Sequence, residues 1–159
     1  NIWAFCVDLT QFVGNGQKVV EDPFLFSAGI RDNMGRLFSS ALGGAGLTSV
    51  IDTALEAAGF QVALWEVLMD SGSDYDLTKG AFRMSKNAAV QARAQSYLDA
   101  MAGAPGDLYK LTFYKSRDHQ DLVTATPMSP VPLPASGVLS ALGLAALAGL
   151  RRRRRLRTV

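Results

Sequence analysis

Apolar and polar residues alternate along the opening stretch "NIWAFCVDLTQFV". Trp3, Phe5, Val7 and Leu9 share one face of an extended chain, and Ala4, Cys6, Asp8 and Thr10 share the other, a pattern that predicts a strand. Gly14-Asn15-Gly16 is a tight-turn signal, and "QKVV" reads as the returning hairpin partner. After Pro23 the period lengthens to that of a helix around Arg31–Leu42, which Gly43, Gly44 and Gly46 break. "TSVIDTALEAAGF" restarts a helix that runs to about Asp70. Ser49 and Asp52 have the spacing of a capping box, with Asp in place of Glu, and Gly59 is a weak point. Beyond the loop "SGSDYDLTKG", Ser85 opens a helix to about Ala102, with Val90, Ala94, Tyr97, Leu98 and Met101 on one side. "GAPGD" ends it, and "LYKLTFYK" and "QDLVTAT", joined by Ser116–Asp118, predict a closing hairpin. The predicted class is α+β, without internal repeats.

One helix position breaks its pattern. On a wheel of 100° per residue, Gln61 in "AAGFQVALWEVLMD" falls at the centre of the apolar arc. Val50, Ala54, Ala57, Trp65 and Leu68 lie within roughly 40° of it, and Glu56, Glu66 and Asp70 lie opposite. Glu66 is therefore expected on the solvated surface. An unpaired amide in a core costs roughly 1–3 kcal/mol. The sequence offers one unusual partner, the lone cysteine Cys6, set between Phe5 and Val7 on the first strand. Two arrangements resolve the problem. The amide hydrogen-bonds to neighbouring backbone, or the Cys6 thiolate attacks its carbonyl, ammonia leaves, and an internal thioester remains.

The charge of the chain is divided. Of sixteen Lys and Arg, six are Arg151, Arg152, Arg153, Arg154, Arg155 and Arg157; the other ten face fourteen acids, leaving residues 1–150 at −4. A mildly acidic body argues against a nucleic-acid surface. Before the arginines, Ser136–Leu150 is an uncharged run of Ala, Leu, Gly, Val and Ser. As a helix it would span about 22 Å, short of the roughly 30 Å hydrocarbon core, with flanking residues or a thinned bilayer making up the difference. Arginines retained in the cytoplasm would set the domain outside. The first residues have no basic segment followed by an apolar run, so no signal peptide is expected within the chain. The missing start methionine fits a fragment or a trimmed precursor.

The tail resembles the VPLPA variety of PEP-CTERM sorting signals on exported proteins of Gram-negative bacteria. The matching parts are Val131-Pro132-Leu133-Pro134-Ala135, the short apolar helix and the arginine cluster. The resemblance implies recognition by an exosortase, transient anchoring in the inner membrane, cleavage near the proline motif, and transfer to the cell surface or extracellular matrix.

"FCVDL" and "FQVALWE" resemble the two signatures of Cys–Gln thioester domains of bacterial surface adhesins. In that family an aromatic residue precedes the cysteine on a strand, and the glutamine stands in a hydrophobic-Gln-x-Ala-hydrophobic-Trp helix motif. The resemblance makes Cys6 the thiol and Gln61 the acyl donor, with Phe5, Phe60 and Trp65 as matching neighbours; Asp8 shares the strand face of Cys6. It implies a β-rich thioester domain with a helical insertion over residues 1–126. Residues 127–135 would then form a Pro-rich linker, 136–150 a short transmembrane helix, and 151–159 a cytoplasmic Arg-rich tail. It also implies covalent capture, once per molecule, of an amine or hydroxyl on a surface or matrix molecule, with no cofactor and no metal. Trp65, one turn beyond Gln61, would shield the bond from water, and Asp8 is a candidate base or strand-edge hydrogen-bonder.

Other classes remain open. A non-covalent matrix- or carbohydrate-binding surface protein would leave Cys6 merely buried. A hydrolase would pair Cys6 with His119 in "SRDHQD". Asp70, Asp74 and Asp76 share one loop as Ca²⁺ ligands do, without the Gly and distant Glu of an EF-hand.

Overall fold

The computed structural model describes residues 3–70, 72 and 74–128. The VPLPA motif, the apolar run and the arginine cluster lie outside the described residues, and within them no helix is long and apolar enough to cross a membrane. The chain runs β1 (Phe5–Cys6), β2 (Val20–Glu21), α1 (Ala28–Leu42), α2 (Leu47–Val50), α3 (Ala54–Met69), α4 (Ala88–Asp99), a 3₁₀ turn (Ala100–Gly103), β3 (Tyr109–Lys115) and β4 (Leu122–Pro127). The four strands form an antiparallel sheet in the order β1-β4-β3-β2. The class is α+β, as the patterning predicts.

The balance within that class differs from the β-rich domain expected, because among the described residues helices hold far more of the chain than strands do. The opening strand is only two residues long. Asp8 ends it: both the Thr10 backbone N–H and the Thr10 hydroxyl donate to its Oδ1 at 2.7 Å, a local turn that competes with pairing. Trp3 and Leu9, at the ends of the alternating stretch, are exposed. "QKVV" does not return to β1. Val20 and Glu21 pair with Lys115 and Tyr114, which sets β2 on the opposite edge of the sheet.

The helix starts are set by side chains that satisfy free N–H groups. Ser27 caps α1, whose end is Gly43 at φ 57°, a left-handed position open to glycine. The capping box of α3 is Thr53 with Glu56; Ser49 lies in α2 and its hydroxyl donates to the Gly46 carbonyl. Asn87, at φ 60°, rather than Ser85, opens α4.

The core lies between the helices and one face of the sheet. Met34, Leu37 and Phe38 of α1, Phe60, Ala63, Leu64 and Val67 of α3, and Val90, Ala94 and Leu98 of α4 meet Tyr109, Phe113, Val123 and Ala125. Gly59 is a point of contact rather than of weakness. A Cβ there would stand 2.8 Å from Arg93 Cγ and 3.4 Å from the Ala94 nitrogen, so its bareness lets α4 approach α3.

Candidate functional site

Two consecutive residues from each end of the chain's early half define the site: Phe5-Cys6 on β1 and Phe60-Gln61 on α3. The two phenylalanines fix the approach. Their ring centroids lie 4.6 Å apart, and Phe38 closes the cluster at 4.8 Å from Phe60 and 6.4 Å from Phe5. Phe60 is fully buried and holds Tyr97 edge-on at 5.8 Å. Packing of this kind is specific in geometry as well as large in buried area.

That packing brings the next residue of each element into contact. The Cys6 backbone N–H donates to Gln61 Oε1 at 2.9 Å, and Gln61 Nε2 donates to the Cys6 carbonyl at 2.8 Å. The partners are 55 residues apart. Alternation explains why the Cys6 groups are available. Cys6 stands opposite Leu122, while the neighbouring Val7 N–H reaches across to the Asp121 carbonyl. The Cys6 N–H and C=O therefore point away from β4, to the open edge of the sheet. One edge of a primary amide presents a donor beside an acceptor, so Gln61 acts there as a one-residue strand.

The wheel placed Gln61 in the core; the structure places it half-buried at the sheet edge. The deeply buried side of α3 is Phe60, Ala63, Leu64 and Val67, and Glu66 belongs to it with 1% exposure. Glu66 is thus not solvated surface. Its Oε1 accepts from the Asp76 backbone N–H at 3.0 Å, and its Oε2 is buried with no hydrogen-bond partner among the described residues. Burial first, then the nearby Asp70 carboxylate, pushes its pKa up to about 7. No sequence signal separated this acid from Glu56, because α3 is apolar on nearly every side and the wheel has no sharp minimum.

The other expected participants fall into place around this pair or away from it. Cys6 is half-buried and unoxidised, and burial pushes its thiol above the ordinary thiol range. Asp8 accepts from the Thr10 N–H and hydroxyl in a local turn. Trp65 is half-buried against Phe82, 6.1 Å between ring centroids. His119 packs over Gly14, and no hydrogen bond joins it to Cys6 among the described residues.

The acidic loop is organised by its own backbone. Asp70 accepts from the Ala81 and Phe82 N–H groups at 2.7 and 2.9 Å, which holds its carboxyl below the usual range. Asp76 pairs with Lys79 at 2.7 Å and accepts from Thr78. Among the described residues no three His, Cys, Asp or Glu are grouped to hold a metal ion, Asp70, Asp74 and Asp76 included. Clefts of about 420 and 500 Å³ flank Tyr75 and Asp99, and neither is lined by Cys6, Gln61 or His119.

No protein-family model, curated protein or solved structure matches the chain.

Proposed function

We propose that residues 3–128 form a covalent capture domain whose reactive group is a Cys6–Gln61 thioester. One observation carries this: the Gln61 side-chain amide meets Cys6 across 55 residues, held there by both of its hydrogen-bonding groups. Both hydrogen bonds go to the Cys6 main chain, which sets the two residues of the proposed link side by side. Sulfur attack on the amide carbon is an intramolecular step, and partners held in a near-attack geometry gain roughly 7–11 kcal/mol over free reactants. Burial of the thiol works against it, because only the thiolate attacks. Formation is therefore faster at higher pH, and it happens once per molecule.

The target is a surface or matrix molecule bearing an amine or a hydroxyl, and the reaction is a single event without turnover. The VPLPA motif, apolar run and arginines support delivery by an exosortase to the cell surface, through transient anchoring in the inner membrane.

A second reading has its own observation. The two hydrogen bonds alone satisfy the edge of β1, so Gln61 serves equally as a structural clamp in a non-covalent surface protein. Methylamine separates the two. Capture adds one methylamine to the thioester protein, and Cys6→Ala abolishes the uptake while leaving the circular dichroism unchanged. Folded wild-type protein that takes up none supports the clamp.

A further inference from the structure

The sheet has a second open edge, on the side away from Cys6 and independent of any thioester. Main-chain groups along β3 point alternately to its two neighbours. The Leu108 carbonyl accepts from the Met128 N–H beyond the end of β4, and the Phe113 carbonyl accepts from the Asp22 N–H just past β2. Tyr109, Leu111 and Phe113 therefore aim their N–H and C=O groups at the β2 side, and Lys110 and Thr112 aim theirs at β4. β2 does not run far enough to meet them. Its two residues pair with Lys115 and Tyr114, and after Asp22 the chain turns at Pro23. The Leu25 N–H reaches back to the Asp22 carbonyl and the Phe24 N–H to the Asp22 carboxylate. The Leu111 N–H and C=O are left with no hydrogen-bond partner among the described residues. They border a cleft of about 360 Å³ between β3 and α1, lined in part by Pro23, Arg31, Asp32, Gly106 and Lys110.

We infer that this edge docks an extended peptide segment of another protein, added in line with β2 and carrying an apolar residue next to an acidic one. The main chain of the guest supplies the donor and the acceptor that Leu111 lacks, and its alternate side chains give the selectivity. The residue opposite Leu111 turns to the helix-covered face, where Leu111 packs against the core, so an apolar side chain fits there. Its neighbour turns to the other face, beside the exposed Lys110. Charge decides that position. Asp32 is already paired with Arg36 at 2.9 Å, and the other acid of the cleft, Glu21, stands opposite Tyr114, further along β3. Lys110 and Arg31 belong to no ion pair among the described residues. Opposite charges across a strand pair attract and like charges repel, so an acid suits the place beside Lys110. A second copy of β3 suits it less, because antiparallel pairing about Leu111 would set Thr112 of the copy there.

The test uses the 15N-labelled chain and the capped peptide acetyl-STVEVS-amide, whose first Val and Glu fall opposite Leu111 and Lys110 in an antiparallel register. Docking shifts the Leu111 amide resonance and slows its exchange with solvent by about fivefold or more. A methyl group on the nitrogen of that Val abolishes both effects, because it removes the donor to the Leu111 carbonyl. Lys110→Glu, a change at an exposed position, weakens binding of this peptide by about threefold or more and turns the preference to a peptide with Lys in place of Glu. A Leu111 resonance unmoved at millimolar peptide overturns the proposal, and so does an N-methylated peptide that binds as well as its parent. An unchanged preference in the Lys110→Glu protein overturns the choice of an acidic guest. A Leu111 amide already protected in the free chain also overturns the proposal, the edge then being filled by a second copy if the chain sediments as a dimer and by its own chain if it does not.

Discussion

Gln61 is held by two hydrogen bonds to one residue, and the loss of each has a different meaning. In a Cys6→Ala background, where no covalent link forms, Gln61→Glu keeps the acceptor for the residue 6 N–H and replaces the donor to its carbonyl with a carboxylate. The expected cost is about 1–3 kcal/mol by urea unfolding at neutral pH, shrinking as the new carboxyl is protonated. An unchanged midpoint would show that the clamp holds nothing. Glu66 supplies the opposite kind of residue effect. Its pKa is raised from 4.5 to about 7 in the folded state, so the fold binds a proton that the unfolded chain releases. Stability from this group is full below 4.5 and is lost as pH rises through about 7. Glu66→Gln is therefore expected to stabilise the domain above pH 7 by about 1–3 kcal/mol and to flatten the slope between those values. Parallel stability profiles for the two proteins would refute the assignment.

At the scale of elements, α3 carries the site and α4 carries α3. The crossing depends on Gly59, where a methyl group would press on Arg93 Cγ at 2.8 Å. Helix propensity favours Ala over Gly by about 1 kcal/mol. Close packing opposes it, since overpacking costs about 1–3 kcal/mol. Gly59→Ala is expected to lower the unfolding midpoint; a raised midpoint would mean that propensity outweighs the contact. Elements with strong local signals were legible in the sequence. The closing hairpin pairs with its predicted partners, and α1 and α3 end where glycine and the acidic loop stop them. Those set by tertiary contact were not. The alternation of residues 3–9 continues past Asp8, but the local turn at Thr10 ends the strand. "QKVV" follows a good turn, yet β3 offers it a ladder on the far edge. The meeting of Cys6 with Gln61 was legible because an amide in an apolar helix needs a partner. The face it occupies was not, since apolar residues surround α3 and a wheel has nothing to align on.

For the whole molecule, the account joins two parts of one chain. The folded domain holds Cys6 against an amide at the free edge of its sheet, and the tail resembles an address for the cell surface. On the proposed reading, surface delivery suits an acyl group kept in reserve, whose targets would lie outside and which would react once per molecule. Intact mass and thiol titration of freshly purified, denatured protein test this most directly. The account predicts a mass one ammonia below that of the sequence and no titratable thiol. Full mass with one equivalent of free thiol would contradict it.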